Sequence, residues 1–221
     1  MYLDDNHRKI IHEFLEFLNN KSDRFILKGG TALMMCYGLT RFSEGIDLDS
    51  DKDHAFFEYV RQFCSKSKHE YREAKNTDFT KRVMINYTNR DDSTIKPLNV
   101  ELSMRNPNLF NENQYVLIND ILVYNIDYLC LSKSSAFASR DKLRDLFDLV
   151  FIYKAYKDKL KEHTLLQLKN VFEYKDIEHV DYLINTNTDN LINTDKLASD
   201  YLSICADMHI AVPERNMSNS H

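Results

Sequence analysis

The chain has 221 residues, 43% of them hydrophobic and 29% charged, and a formal net charge of −5. That length buries a sizeable core and implies one large domain or two small ones. The acidic balance excludes the global basic field that announces a nucleic-acid binder, and no apolar run approaches the roughly 20 residues that span a bilayer.

The opening MYLDDNHRK carries charges where a secretory signal needs an apolar core, so a cytoplasmic protein with no membrane partner is expected. Cys36, Cys64, Cys130 and Cys205 lie far apart without CxxC spacing, which reads as reduced cysteines in or near the core.

Along the chain, Ile10, Ile11, Phe14, Leu15, Phe17 and Leu18 recur at helical spacing and predict an amphipathic helix over 7–19. Asp23 and RFILK read as a turn and a buried strand, after which Thr31 can cap a helix running to about Tyr37, with Gly38 as its stop. IDLD alternates apolar and acidic residues, the period of a strand with both carboxylates on one face. HAFFEYVRQFC predicts a helix over 54–64; KRVMINYT and PLNVELSM predict neighbouring strands about the polar turn Asn89, Arg90, Asp91, Asp92 and Ser93, and ILVYN a further short strand.

Beyond about residue 125 helical patterns dominate: NIDYLCLSKSSAFAS, DKLRDLFDLVFIYKAYK and three further segments through Met208, before a fraying tail PERNMSNSH. The expected architecture is an α/β (α+β) half with a mixed sheet over 1–122, and a helical bundle over 123–221.

The glycines are concentrated. Average usage of about 7% would give roughly fifteen along such a chain, yet there are four, Gly29, Gly30, Gly38 and Gly45, all inside LKGGTALMMCYGLTRFSEGIDLDS. A strand ending in Gly-Gly and turning into a helix lets backbone N–H groups approach an anion closely, at the end of a helix that favours negative charge. Asp47 and Asp49 follow, about 7 Å apart along one strand face, where like charges repel unless a cation neutralises them. Glu101 is the one acidic residue of LNVEL. If its strand lies beside IDLD, three carboxylates converge opposite the turn. Such a set suits Mg²⁺, which takes a few carboxylates plus phosphate oxygens and water, and points to nucleotidyl transfer with release of pyrophosphate.

The run LKGGTALMMCYGLTRFSEGIDLD resembles the signature of the AbiEii-type nucleotidyltransferase toxins, a branch of the DNA polymerase β-like nucleotidyltransferase superfamily. That pattern is a glycine turn, then two acidic residues separated by one hydrophobic residue, then a third acidic residue on a later strand. The likeness is dense over 26–49 and looser at Glu101 and over SKSSAFASRDKLRDLFDL. It implies a toxin of a toxin–antitoxin or phage-defence pair, using Mg²⁺ or Mn²⁺ and an NTP, with RNA (tRNA) or protein as acceptor and a cognate antitoxin as partner. By resemblance the nucleotide would meet Lys28, Gly29, Gly30, Thr31, Arg41 and Ser43. Asp47, Asp49 and Glu101 would hold the metal, Lys133 would meet a phosphate, and Arg144, Asp145 and Asp148 would form the later [KR]-D-x-x-D element. Gly45 departs from the pattern, standing where the first aspartate is expected. Either Asp47 and Asp49 form the pair, shifted by two residues on the same face, or one ligand is missing and catalysis is impaired.

Bland alternatives stand beside these roles. Arg41 is a phosphate contact or a partner of the acidic loop, and Ser43 can bond backbone. Lys133, Arg140 and Arg144 share a face if their helix is continuous, while Arg144 and Asp148 can form a plain i,i+4 pair. The histidines read as surface residues and the tyrosines as packing.

Overall fold

The fold comes from a computed structural model that describes residues 2–87, 96–111, 114–187, 189 and 192–211. The expected turn from Asn89 to Ser93 and the tail from Pro213 lie outside the described residues. The chain divides into two compact units, Met1–Asn125 and Ile126–His221.

The first unit is a mixed seven-stranded sheet with three helices among its described residues. In chain order it runs α1 (Tyr2–Asn19), β1 (Ile26–Lys28), α2 (Gly29–Cys36), β2 (Gly45–Asp49), α3 (Phe56–Ser67), β3 (Glu70–Asn76), β4 (Thr80–Asn86), β5 (Leu98–Ser103), β6 (Tyr115–Ile118) and β7 (Ile121–Tyr124). The sheet order is β3-β4-β5-β2-β1-β7-β6. β2 and β5 are parallel, as are β1 and β7; the other neighbours are antiparallel.

One sheet face is apolar because alternate residues of each strand point the same way. Leu27, Ile46, Leu48, Val83, Ile85, Val100 and Leu102 are all fully or almost fully buried there. α1 contributes Ile10, Ile11, Phe14, Leu15 and Leu18 to this core, and Phe14 meets Phe63 of α3 edge-on with ring centroids 5.1 Å apart. Each such side chain contributes about 1.5–3 kcal/mol by leaving water. The opposite face carries the polar residues of the same strands, so the apolar side fixes the register of the charged one.

Two strands are absent from the sequence expectation. β3, EYREAKN, is an edge strand exposed along most of its length and lacks apolar alternation. β6 pairs with β7 through a two-residue turn at Asn119 and Asp120, φ 48° and 61°, the left-handed pair a tight hairpin needs. Thr31 does not cap α2: the helix begins at Gly29 with Lys28 at its N-cap and no side-chain cap. α2 ends one residue earlier than expected, at Cys36, and Gly38, φ +79°, turns the chain so that Leu39 N–H reaches the Leu33 carbonyl at 3.0 Å.

The second unit consists of α4 (Ile126–Ser139), α5 (Leu143–Tyr156), α6 (Glu162–Tyr174), α7 (Ile177–Asn185) and α8 (Thr194–Asp207). Asp176 and Asn193 cap α7 and α8, accepting from His179 N and Lys196 N at 2.9 Å each. α4 packs on α5 and α6, α5 packs on α8, and Phe172 stacks edge-on to Tyr201 at 5.1 Å. The cysteines are free; Cys64, Cys130 and Cys205 are buried and Cys36 half-buried. Burial pushes the Cys36 and Cys130 thiols up to about 12, which keeps them protonated and inert. Among the described residues no helix is long and apolar enough to cross a membrane.

Candidate active site

Strand pairing assembles one row of charges across the polar face. Lys28 on β1 is the register partner of Asp47 on β2, Asp47 of Glu101 on β5, and Glu101 of Arg82 on β4. Lys75 on β3 extends the row beyond Arg82. Register partners on adjacent strands lie about 4.8 Å apart and point the same way, so Asp47 and Glu101 meet on one face as the sequence predicts. Two adjacent carboxylates repel, and the flanking Lys28 and Arg82 offset that repulsion. Arg82 holds Glu101 with Nε at 2.8 Å from Oε2 and with Nη2 on the same oxygen.

Asp49 is on the same face but committed elsewhere. Its Oδ1 accepts from Lys28 Nζ at 2.6 Å and its Oδ2 from the Tyr124 hydroxyl at 2.9 Å. Because β1 runs antiparallel to β2, the turn after Lys28 lies beside the start of β2, so Asp49 stands two residues farther from the glycines than Asp47 does. The structure therefore brings together Asp47 and Glu101 next to the turn, with Asp49 anchoring Lys28. Among the described residues no group of three or more His, Cys, Asp or Glu is arranged to hold a metal ion.

The glycines have separate physical reasons. Gly29 has φ +75°, and a Cβ there would lie 3.1 Å from Asp47 Oδ2, so its missing side chain admits the carboxylate. A Cβ on Gly30 would lie 2.6 Å from Arg41 Nη2, so the guanidinium of Arg41, only 5% exposed, fills that space and holds positive charge against the turn. Arg41 Nη1 also donates to the Phe42 carbonyl at 3.0 Å. Thr31 turns inward, donating to the Gly45 carbonyl and reaching Ser43 Oγ at 2.8 Å, which ties α2 to the start of β2. His7, on α1, reaches the Glu44 carbonyl at 2.7 Å through Nε2 and the Tyr87 hydroxyl at 2.5 Å through Nδ1. It is 6% exposed, against the expectation of a surface histidine. Asp51, just after β2, is paired: His54 Nε2 lies 2.6 Å from its Oδ1.

In the second unit the predicted basic stripe is broken. The helix is interrupted between Ser139 and Leu143, so Lys133 stands on α4, Arg140 in the connection and Arg144 on α5. Lys133 Nζ lies 3.1 Å from Asp145 Oδ1 and 2.6 Å from Asp148 Oδ2, while Arg140 grips Asp145 through Nε at 2.7 Å and Nη2 at 3.1 Å. Arg144 pairs with Asp189 at 2.6 Å rather than with Asp148. Burial pushes the Asp145 carboxyl up, but hydrogen bonds and charge from Arg140 and Lys133 outweigh it and leave the carboxyl below the usual carboxylate range.

The sequence profile described as "Nucleotidyl transferase AbiEii toxin, Type IV TA system" matches residues 15–218. The chain belongs to the AbiEii nucleotidyltransferase toxin family. The crystal structure of JHP933 from Helicobacter pylori is similar, with 25% identity, a TM-score of 0.75, and coverage of 93% of this chain and 91% of that one. A second H. pylori structure, of a candidate nucleotidyltransferase, matches with 26% identity, a TM-score of 0.76, and coverage of 92% and 93%. No curated protein sequence matches.

AbiEii membership supports nucleotidyl transfer as the general activity, and nucleotidyltransferases use an NTP and a divalent metal. The donors fit such an ion: Asp47 and Glu101 offer hard carboxylate oxygens side by side, and a small divalent cation takes one or two carboxylates and completes its shell with phosphate oxygens and water. Sequence reasoning missed Arg82, Tyr124 and Asn99, all on the same face. The pairing of β4 with β5 is expected, but only the register of each strand pair sets Arg82 opposite Glu101, Asn99 opposite Gly45 and Tyr124 near Asp49.

Proposed function

We propose that the chain is a divalent-cation-dependent nucleotidyltransferase, the toxin of a toxin–antitoxin or phage-defence pair, which transfers NMP from an NTP to a hydroxyl of an RNA such as tRNA, or of a protein. The observation that carries the reading is the register of Asp47 with Glu101, on the face where Gly29 meets the Asp47 carboxylate. The acceptor hydroxyl oxygen attacks the α-phosphorus as its proton passes to water, the bond from that phosphorus to the β-bridging oxygen breaks, and pyrophosphate leaves. Asp47 and Glu101 would hold the Mg²⁺ or Mn²⁺, which when bound would supply Lewis-acid charge to the phosphate oxygens.

The remaining groups bind and orient. Gly29 and Gly30 let phosphate oxygens approach the first N–H groups of α2, and Arg41 places a fixed positive charge behind Gly30. Lys28 offers its ammonium to the nucleotide, and Asp49, with Tyr124, steers it. Thr31 and Ser43 act through the backbone, holding the Gly45 carbonyl and thereby the entry to β2. The reading extends to Lys133 as a phosphate contact, with Asp145 and Asp148 orienting its ammonium and Arg144 beside them. A cognate antitoxin is the partner the family implies.

The test is incubation of the protein with cell extract and each α-³²P-labelled NTP in Mg²⁺ or Mn²⁺. Label is expected in RNA or protein, and must vanish on chelation. No label from any of the four nucleotides sinks the transferase reading. A second reading is favoured by Gly45 together with the engagement of Asp49: an impaired family member that binds nucleotide or a partner without turnover. Gly45→Asp separates the two. A Cβ there would meet the Asn99 carbonyl at 3.3 Å, so a shift of a few tenths of an ångström accommodates it. A large gain in labelling supports impairment; little change in an already active protein supports the enzyme.

A further inference from the structure

Gly45 leaves a gap in the row next to the carboxylates, and Asn99 faces it. Gly45 and Asn99 are register partners on the parallel strands β2 and β5, one pleat nearer the start of each strand than Asp47 and Glu101. A Cβ on Gly45 would lie 3.6 Å from Asn99 Nδ2 and 3.8 Å from Asn99 Cβ, so the amide leans over the bare glycine. Its Oδ1 is buried and accepts no hydrogen bond. In this orientation the oxygen is turned inward and the nitrogen towards the gap, and no hydrogen bond holds the oxygen there, so turning the amide breaks none at that atom. Asn is also depleted in strands, where it competes with the ladder, so its place between Leu98 and Val100 asks for a reason other than strand propensity.

We infer that Asn99 Oδ1 is a ligand of the divalent cation in this chain, taking the place of the carboxylate that Gly45 lacks. The inference rests on the reading of Asp47 and Glu101 as cation ligands. An amide carbonyl is a hard oxygen donor of the kind magnesium and manganese accept. Rotation of the amide by half a turn exchanges oxygen and nitrogen without moving other atoms, so the oxygen can face the gap. An amide brings no charge. Lys28, Asp47, Glu101 and Arg82 already sum to zero, so a cation meets no net negative charge from the row and binds more weakly than at three carboxylates. The chain thus keeps a donor where its relatives' pattern has an aspartate, at lower affinity for the free ion.

The test is titration of the full-length protein with Mn²⁺ alone, following loss of the free-ion electron paramagnetic resonance signal, for wild type, Asn99→Leu, Asn99→Asp and Asp47→Asn. Asn99→Leu keeps the side-chain volume and removes the oxygen; it is expected to weaken Mn²⁺ binding about tenfold, and Asn99→Asp to tighten it about tenfold. Melting in chelator checks folding: the Leu variant breaks no hydrogen bond and should melt at or above wild type. The Asp variant should melt lower without Mn²⁺ and recover with it. If wild type binds Mn²⁺ and loses it on Asp47→Asn, but both Asn99 variants bind as wild type does, Asn99 is no ligand and the Asp47–Glu101 reading survives. If wild type binds no Mn²⁺ at this face, both fall. Should the Leu variant fail to fold, the sign of the Asp variant's affinity change decides.

Discussion

The two units handle charge in opposite ways. On the sheet, Lys28, Asp49, Arg82 and Glu101 keep 31%, 18%, 43% and 28% of their side-chain surfaces exposed, and their pairs run between strands. In the helical unit, Lys133, Asp145 and Asp148 keep 11%, 2% and 0%, and their charges are mutually satisfied. An ion pair within reach of water contributes about 0–1 kcal/mol and exchanges with an incoming ligand at little expense, whereas a buried one resists exchange because either partner left alone is heavily penalised. Charge that water can reach is available for chemistry; charge sealed among helices acts first on stability.

This contrast is broken or sharpened by four measurements. Asp47→Asn should lower label transfer about a thousandfold, since a direct ligand is worth several kcal/mol at the transition state; its melting temperature should stay close to wild type. Loss of activity through unfolding would place Asp47 on the structural side. Lys133→Ala should lower stability as well as label transfer, and cost about 3 kcal/mol in urea denaturation, at the low end for a broken buried pair because Arg140 still covers Asp145. A change under about 1 kcal/mol would show that the helical cluster is as exchangeable as the sheet row.

Arg82→Gln removes the competitor for Glu101. Mn²⁺ affinity should rise about fivefold, with stability changed by less than about 1 kcal/mol; unchanged affinity would mean that Arg82 does not compete with the ion. The smallest effect is acid sensitivity. The folded Asp145 pKa lies below its unfolded value of about 3.9, because the Arg140 and Lys133 contacts outweigh the burial that pushes it up. Its contribution is present above that value and is lost as pH falls through the lower folded one. Unfolding followed below about pH 4 should show this loss in wild type and less of it in Lys133→Ala.

Much of the candidate site was legible because it is written locally. The Gly-Gly turn, the alternation of IDLD and the lone acid in LNVEL need no tertiary knowledge, and strand periodicity alone places Asp47 and Glu101 on one face once their strands pair. What was hidden depends on residues distant in sequence. Asp49 reads like Asp47 until Tyr124, 75 residues away, and Lys28 claim its oxygens. The helix break at 140–142 falls where the sequence shows two separate helical patterns, but what holds it was hidden. Asp141 holds it from outside, accepting from Lys175 at 2.7 Å and lying 2.9 Å from His179 Nε2. β3 was invisible because an exposed edge strand has no apolar face to alternate.

The strand order has a consequence for how such a toxin is made. β1, among the first segments to leave the ribosome, ends up between β2 and β7, with Leu27 beside Val123. Synthesis proceeds from the N-terminus, and distant pairings are slow to form. A nascent chain therefore carries its Gly-Gly turn long before residue 101 emerges to stand beside residue 47, and the central strand lacks one neighbour until residues 121–124 follow.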